Sequence, residues 1–407
     1  MPSFISEDQI EQALLQRLQH QHGYDVLNCY TSDPEEINDG SNRADKRDVV
    51  FTDRLKSAAS RLNPEVPESA IDDALARLLE KRQAMSSVAA NHEVDTLVRD
   101  GIPVQFENKQ GRTEDERVRL IDFQNPENNE FLAVSQMWVK GERGHRRPDV
   151  LLYVNGIPLV FIELKNSNVK LKSAFESNVV AYRSEILQLY LTNAFCVLSN
   201  GLQTRVGSMT AEWEHFFTWL RVENEKEKIN RESLEEKGET MVRVIDGLFP
   251  KARLLDYVEH FVLFYDDKQK IIGQNHQFIG VDKAYDAFLN RKKKEGKLGV
   301  FWHTQGSGKS FSMIFLVRKI FRTLTGNFTF VVVTDREDLD GQIYRNFLHT
   351  ETVKKSDTAQ PKDSEEMRKF LGQNKRLVFT LIQKFGWPKG KEYPLLSERD
   401  DYRGDGR

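Results

Sequence analysis

The chain is short of cysteine: its 407 residues include only Cys29 and Cys196. Two cysteines cannot staple a small secreted fold or complete a four-ligand zinc site by themselves. Neither has a histidine at ligand spacing, so both are expected as reduced, buried, small apolar residues. Long apolar runs are missing as well. No segment reaches the roughly 18 apolar residues of a membrane span, and Met1–Ile5 lacks the charged and apolar regions of a signal peptide. A cytoplasmic protein without a membrane partner is expected. Charge of one sign is absent too, since 59 Lys and Arg face 62 Asp and Glu for a formal net charge of −3. That excludes a histone-like protein and leaves room for a local basic face. There is no internal repeat.

What is present fits ordinary globular cores, with 39% apolar and 30% charged residues. At roughly 150 residues per domain, two or three domains are expected. Ser6 with Gln9 reads as a capping box, and Ile10, Ala13, Leu14 and Leu18 form an apolar stripe ended by Gly23. A second amphipathic helix is expected over 66–83. Short β-prone runs follow at Val104–Phe106, Val118–Ile121 and Phe131–Val134. Two longer ones, Val150–Val154 and Leu159–Leu164, are joined through Asn155-Gly156, a strong hairpin signal. A helix over 173–190 and a strand over 194–199 come next. Residues 222–240 are dense in Glu, Lys, Asn and Arg, which places a boundary there or by about residue 250 and divides the chain into 1–245 and 246–407. Farther on, an apolar strand at Gly299–Trp302, a helix over 309–322 and strands over 328–333 and 376–380 indicate a parallel sheet with crossover helices. Asp401–Arg407 reads as a loose end.

The run His303-Thr304-Gln305-Gly306-Ser307-Gly308-Lys309-Ser310 ends as a phosphate loop does. Gly306 and Gly308 free the backbone to turn its N–H groups, including those of Thr304 and Ser307, toward a phosphate at a helix N-terminus. Lys309 would reach the β- and γ-phosphates of a nucleotide, and Ser310 would ligate Mg²⁺. His303 stands where the general pattern has glycine. Gln277, about thirty residues upstream, has an amide suited to an adenine edge.

Asp149 opens the first hairpin strand, and Glu163 and Lys165 close the second. Residues i and i+2 of a strand share a face, so Glu163 and Lys165 point together. Two carboxylates and a lysine there could hold Mg²⁺ through oxygen ligands and direct water onto a phosphodiester. The register decides whether they meet. With only Asn155 and Gly156 in the loop, Asp149 opposes Ile162 and the acids fall on opposite faces. A three-residue loop or one bulge brings them to one face. Val154-Asn155-Gly156 suits a type I turn with glycine left-handed, which carries such a bulge. Arg146 and Arg147 add positive charge near any bound phosphate. Asn178 and Tyr182 either line the same cleft or belong to a helix surface, and Glu11 is either a third acid or a solvated helix carboxylate.

The string from Arg147-Pro148-Asp149 to Glu163-Leu164-Lys165 resembles the nuclease domain of the R (restriction, motor) subunits of type I restriction-modification enzymes. Asn275–Phe278, His303–Ser310 and Val333–Asp340 resemble the motor of the same subunits. The resemblance implies a PD-(D/E)xK nuclease fold followed by the first RecA-like domain of a superfamily-two translocase, an α/β architecture incomplete at its C-terminal end. It implies an ATP- and Mg²⁺-dependent endonuclease acting on double-stranded DNA beside modification (methyltransferase) and specificity subunits. Asp149, Glu163 and Lys165 match the nuclease motif, Lys309 and Ser310 the Walker A pair, and Gln277 the adenine-reading glutamine. Thr334, Asp335 and Arg336, then Thr380, Gln383 and Lys384, match motifs along the DNA track. Asn178 replaces a glutamine in the family's Gln-x-x-x-Tyr. No Asp-Glu-x-His precedes Arg407, so a truncated chain with an inactive ATPase is expected. The alternative is a DNA-binding translocase or assembly module with an inert nuclease-like domain.

Overall fold

The computed structural model describes residues 5–385 except Gln83, Lys109 and Asn374. The loose end expected at Asp401–Arg407 lies outside the described residues. The chain divides into two units, Met1–Val262 with Asp267–His276, and Leu263–Asp266 with Gln277–Arg407.

In the first unit, helix α1 (Glu7–His22) starts at the expected capping box and stops at Gly23, whose φ of 68° is left-handed. Its buried face is Ile10, Glu11, Leu14, Leu15 and Leu18. Ala13, expected in the stripe, is exposed. The apolar face is rotated toward Leu15, and it carries Glu11 inward with it.

A six-stranded mixed sheet follows: β1 (Asp25–Asn28), β2 (Phe131–Ser135), β3 (Val150–Val154), β4 (Ile157–Leu164), β5 (Phe195–Ser199) and β6 (Thr204–Gly207), in that spatial order. The pairs β1–β2 and β4–β5 are parallel and the rest antiparallel. Every residue of β3 and β4 is buried. That explains their unbroken apolar character, because a strand covered on both faces has no polar alternation.

The β3–β4 hairpin departs from the expected turn. Val154 pairs with Ile157, so the loop is the two residues Asn155 and Gly156, with φ of 50° and 80°. Two left-handed residues make a type I′ turn, whose twist suits the strands better than the type I turn expected. The odd register arises inside β4 instead. Tyr153 pairs with Pro158 and Leu152 with Val160, leaving Leu159 as a bulge. Pro158 has no N–H to give the ladder, and prolines inside sheets are confined to edges and bulges. Asn155 is locked by its own side chain, which accepts from the Glu130 N–H and donates to Leu120 O and Asn129 Oδ1.

Three other elements differ from the sequence expectations. The second amphipathic helix is shorter, Glu68–Leu78. The Val118–Ile121 run is strand only at Val118, the last residue of Thr113–Val118. The helix expected over 173–190 is broken into Leu171–Ala174, a π-helical turn Phe175–Val179, Val180–Glu185 and a 3₁₀ turn Leu187–Tyr190. Helices Thr240–Leu248 and Lys251–His260 belong to the first unit.

In the second unit, β7 (Phe330–Thr334), β8 (Thr358–Ala359) and β9 (Leu377–Leu381) form a parallel sheet in the order β7-β9-β8. Helices Lys309–Thr323, Glu337–His349 and Ser364–Leu371 alternate with these strands, as expected of parallel crossovers. The strand expected at Gly299–Trp302 does not form. Gly299 takes a φ of 111°, and Val300 and Trp302 are 93% and 80% exposed, with no ladder partner among the described residues. Both cysteines are buried and free. No helix among the described residues is long and apolar enough to cross a membrane.

Candidate active site and phosphate loop

The Leu159 bulge sets the first site. With Val150 paired to Ile162, the ladder continued by one residue puts Asp149 opposite Glu163. Asp149 Oδ2 accepts the Leu164 N–H at 2.6 Å, tying it to the residue beside Glu163. Lys165 Nζ donates to Glu163 Oε1 at 2.7 Å and to Leu164 O at 2.8 Å. Glu163 is only 2% exposed, and its Oε2 is buried with no hydrogen-bond partner. A buried carboxylate oxygen left bare is costly unless something else meets it.

The broken helix supplies a second support. Asn178 Nδ2 donates to Glu163 Oε1 and lies 3.5 Å from Tyr182 Oη. Tyr182 is buried, its ring edge-on to Phe161 at 5.6 Å. The π-helical turn lies directly under Asn178, a place where such turns commonly serve a site.

Glu11 comes from the far side. It is 5% exposed and accepts a hydrogen bond from Gln136 Nε2. Gln136 holds a left-handed φ of 58°, and its N–H donates to Asp149 O at 2.9 Å. It therefore links the two acids, one through its side chain and one through its backbone. Glu7, Glu11, Tyr30, Gln136, Arg147 and Asp149 are among the residues lining a cleft of about 360 Å³. Glu11 could have been found from its spacing, four and seven residues before Leu15 and Leu18. Gln136 had no sequence signal.

Burial dominates the electrostatics. It pushes the Glu163 carboxyl up to about 8, with the Asp149 charge acting the same way and Lys165 opposing. It raises Asp149 to about 6 against the Leu164 N–H and Lys165, and Glu11 to about 7 against the Gln136 amide. Burial pulls Lys165 down, but the adjacent Glu163 more than compensates and leaves it above its ordinary value. The result is a charged lysine beside a glutamate that ionises reluctantly without another cation.

No group of three or more His, Cys, Asp or Glu among the described residues stands ready to hold a metal. Asp149, Glu163 and the bare Oε2 still fit Mg²⁺, which keeps several waters and takes one or two carboxylates plus substrate oxygens.

In the second unit, Gly306 and Gly308 have φ of 80° and 76°, and the helix begins at Lys309. The loop turns inward on itself. Lys309 Nζ donates to His303 O at 2.8 Å and Ser307 Oγ to Thr304 O at 2.7 Å. Gln277 Nε2 donates to Gly308 O at 2.9 Å, which puts that amide against the loop. Thr304 and Lys309 are exposed, and Ser310 is half-buried at the helix start. Thr334 and Thr380 are buried near the ends of β7 and β9. Gln383 Nε2 donates to Asp335 O at 3.0 Å, joining the two loops that follow those strands.

The chain is thus a two-unit α/β protein, with a buried carboxylate pair in the first unit and a glycine-rich helix start in the second. Residues 4–215 match the family described as type I restriction enzyme R protein N terminus, and residues 276–402 match the SWI2/SNF2 ATPase family. The chain belongs to the family of type I restriction enzyme R proteins. It is 36% identical, over 98% of its length and 38% of the relative's, to the type I restriction enzyme HindI endonuclease subunit of Haemophilus influenzae. It is 30% identical, over 98% of its length and 39% of the relative's, to the MjaIXP endonuclease subunit of Methanocaldococcus jannaschii. It therefore spans well under half the length of these relatives.

Proposed function

We propose that the first unit carries a PD-(D/E)xK endonuclease that cuts double-stranded DNA by metal-assisted hydrolysis, and that the second unit contributes to an ATP-driven RecA-like translocase. The observation that carries the nuclease reading is the Leu159 bulge, which brings Asp149 against Glu163 and leaves Glu163 Oε2 buried and bare. Mg²⁺, when bound, supplies positive charge at the phosphodiester and lowers the pKa of water. Asp149 and Glu163 would hold it. Lys165, kept cationic by Glu163, would face the charge that develops at phosphorus. Asn178 orients Glu163, and Tyr182 backs Asn178. Glu11 braces the Asp149 side through Gln136.

In the second unit Thr304, Gly306, Ser307, Gly308 and Lys309 would cradle the ATP phosphates, Ser310 would ligate Mg²⁺ and Gln277 would read adenine. The Lys309 ammonium, now on His303 O, would exchange that carbonyl for phosphate. The partners are DNA and the modification and specificity subunits of a cytoplasmic restriction complex. A polypeptide of these 407 residues is expected to bind ATP weakly without turning it over.

The test is nicking of supercoiled DNA by the R protein assembled with its partner subunits. Cutting should require Mg²⁺ and vanish in Asp149→Asn, Glu163→Gln and Lys165→Ala, while ATP hydrolysis stays near wild type. Metal-independent cutting, or full activity of Glu163→Gln, would sink the reading.

A further inference from the structure

We propose that Arg147 is a phosphate-binding residue of the carboxylate cleft, held ready against two aromatic rings to take a phosphodiester of duplex DNA. The assignment rests on the nuclease reading above and deepens it.

The Arg147 guanidinium carbon lies 5.1 Å from the centre of the Tyr30 ring and 4.9 Å from that of Trp138. The Trp138 ring is pinned directly, and Tyr30 is held at its backbone while its ring stays exposed. Trp138 Nε1 donates to Thr31 O at 3.0 Å, and the Tyr30 N–H donates to Asn28 Oδ1 at 2.8 Å. Stacking occupies the faces of a guanidinium and leaves its five N–H groups in the plane, the arrangement that suits bidentate recognition of phosphate.

Those N–H groups have no acceptor. Among the described residues Arg147 makes no hydrogen bond or ion pair, although it is half-buried. Two other arginines lying over rings in this unit each find a backbone acceptor for one N–H group. Arg183, over Phe175, donates to Ala211 O, and Arg205, over Trp213, donates to Phe216 O. The adjacent Arg146 is paired with Glu185. Arg147 even shares its cleft with Asp149 and Glu11 without bonding either.

The lining confines any anion to Arg147. Glu7, Asp8, Glu11 and Asp149 give the cleft four acids, and Arg147 is the single cation among its described lining residues. A polyanion enters such a cleft only where a cation meets it. A clamped arginine does so with little loss of side-chain freedom on binding, because the rings have already restricted it.

The experiment measures binding of the 407-residue chain to a short fluorescent DNA duplex, in Ca²⁺ to keep it uncut. Arg147→Ala should weaken binding about 10-fold or more, the scale of a charge-assisted contact. It should also lower the slope of log affinity against log salt by about one unit. Arg147→Lys should restore the slope and only part of the affinity, because lysine keeps the charge and loses the planar fork. Tyr30→Leu, at an exposed ring, should weaken binding several-fold with the slope intact.

Duplexes with a single neutral methylphosphonate then locate the contact. Wild type should lose affinity at one backbone position, and Arg147→Ala should be indifferent there while matching wild type elsewhere. An unchanged slope with an unchanged methylphosphonate profile overturns the assignment and leaves the nuclease reading standing. Binding that follows Arg147 in a complex that never cuts supports the assignment and overturns the nuclease. A wild-type chain that binds no DNA overturns both.

Discussion

Glu163 in the first unit and Lys309 in the second are both ionisable groups at the edge of a turn or strand, and they are held by different means. Glu163 lies in a strand buried along its whole length and is fixed by Lys165 and Asn178. Its position depends on a bulge in the same strand and on a helix that follows. Lys309 is exposed, opens a helix, and bonds to carbonyls only five and six residues back. The first site is made by tertiary structure and the second by local backbone conformation. The carboxylate pair should therefore be preformed and sensitive to packing, and the loop should tolerate change until a nucleotide is present.

The largest expected effect breaks the first site without breaking its fold. Glu163→Gln should reduce cutting by about 10³-fold or more, since a missing electrostatic contact at a reacting centre costs that much. It should leave the melting temperature of the metal-free chain unchanged or higher, because a buried carboxyl is gone. A collapsed melting temperature would show that Glu163 is structural.

Two glycines of equal φ sharpen the contrast next. A Cβ on Gly156 would sit 2.5 Å from Phe51 O, against backbone whose Phe51 N–H donates to Gly156 O at 2.8 Å. Gly156→Ala should cost about 3 kcal/mol or more, as strain and overpacking combine. A Cβ on Gly306 would meet nothing within 4 Å. Gly306→Ala should cost only the left-handed strain, about 1 kcal/mol. Urea unfolding of both variants measures the difference, and equal costs would erase the distinction between the sites.

The pH dependence of stability follows in size. The folded values of about 6, 7 and 8 for Asp149, Glu11 and Glu163 lie above ordinary carboxyl values. The folded chain thus keeps protons that the unfolded chain releases. Their contribution is fully present below about pH 4 and is lost as pH rises through those folded values. Metal-free melting temperatures should fall between about pH 5 and 8, and Glu163→Gln should flatten the upper part. A divalent cation should reverse the trend. The smallest effect is Lys309→Ala, which should change stability by less than about 0.5 kcal/mol while abolishing nucleotide binding, as read by titration with a fluorescent ATP analogue.

Much of the fold was legible because it is local. The capping box at Ser6 and the stop at Gly23 need only neighbouring residues, and so does the Asn155-Gly156 turn. The apolar runs of β3 and β4 announced strands, and the fold showed that both faces are covered. The missing strand at Gly299–Trp302 marks the limit of such reading, since a strand also needs a partner to pair with. The π-helical turn was likewise invisible, because an extra residue in a helix changes its hydrogen bonds without changing its apolar character.

The sequence alone determined the family and the hairpin and pointed to the candidate site residues, because chain order and turn chemistry are written in residue types. It also held the clue to the register in Pro158, which cannot donate to a ladder. Only the tertiary structure decided that Asp149 faces Glu163, that Glu11 is turned inward and braced by Gln136, and that Arg147 lies over two rings with no acceptor among the described residues. Those are relations between segments far apart in the chain. Burial and packing set them, and packing depends on what the whole unit places around each side chain.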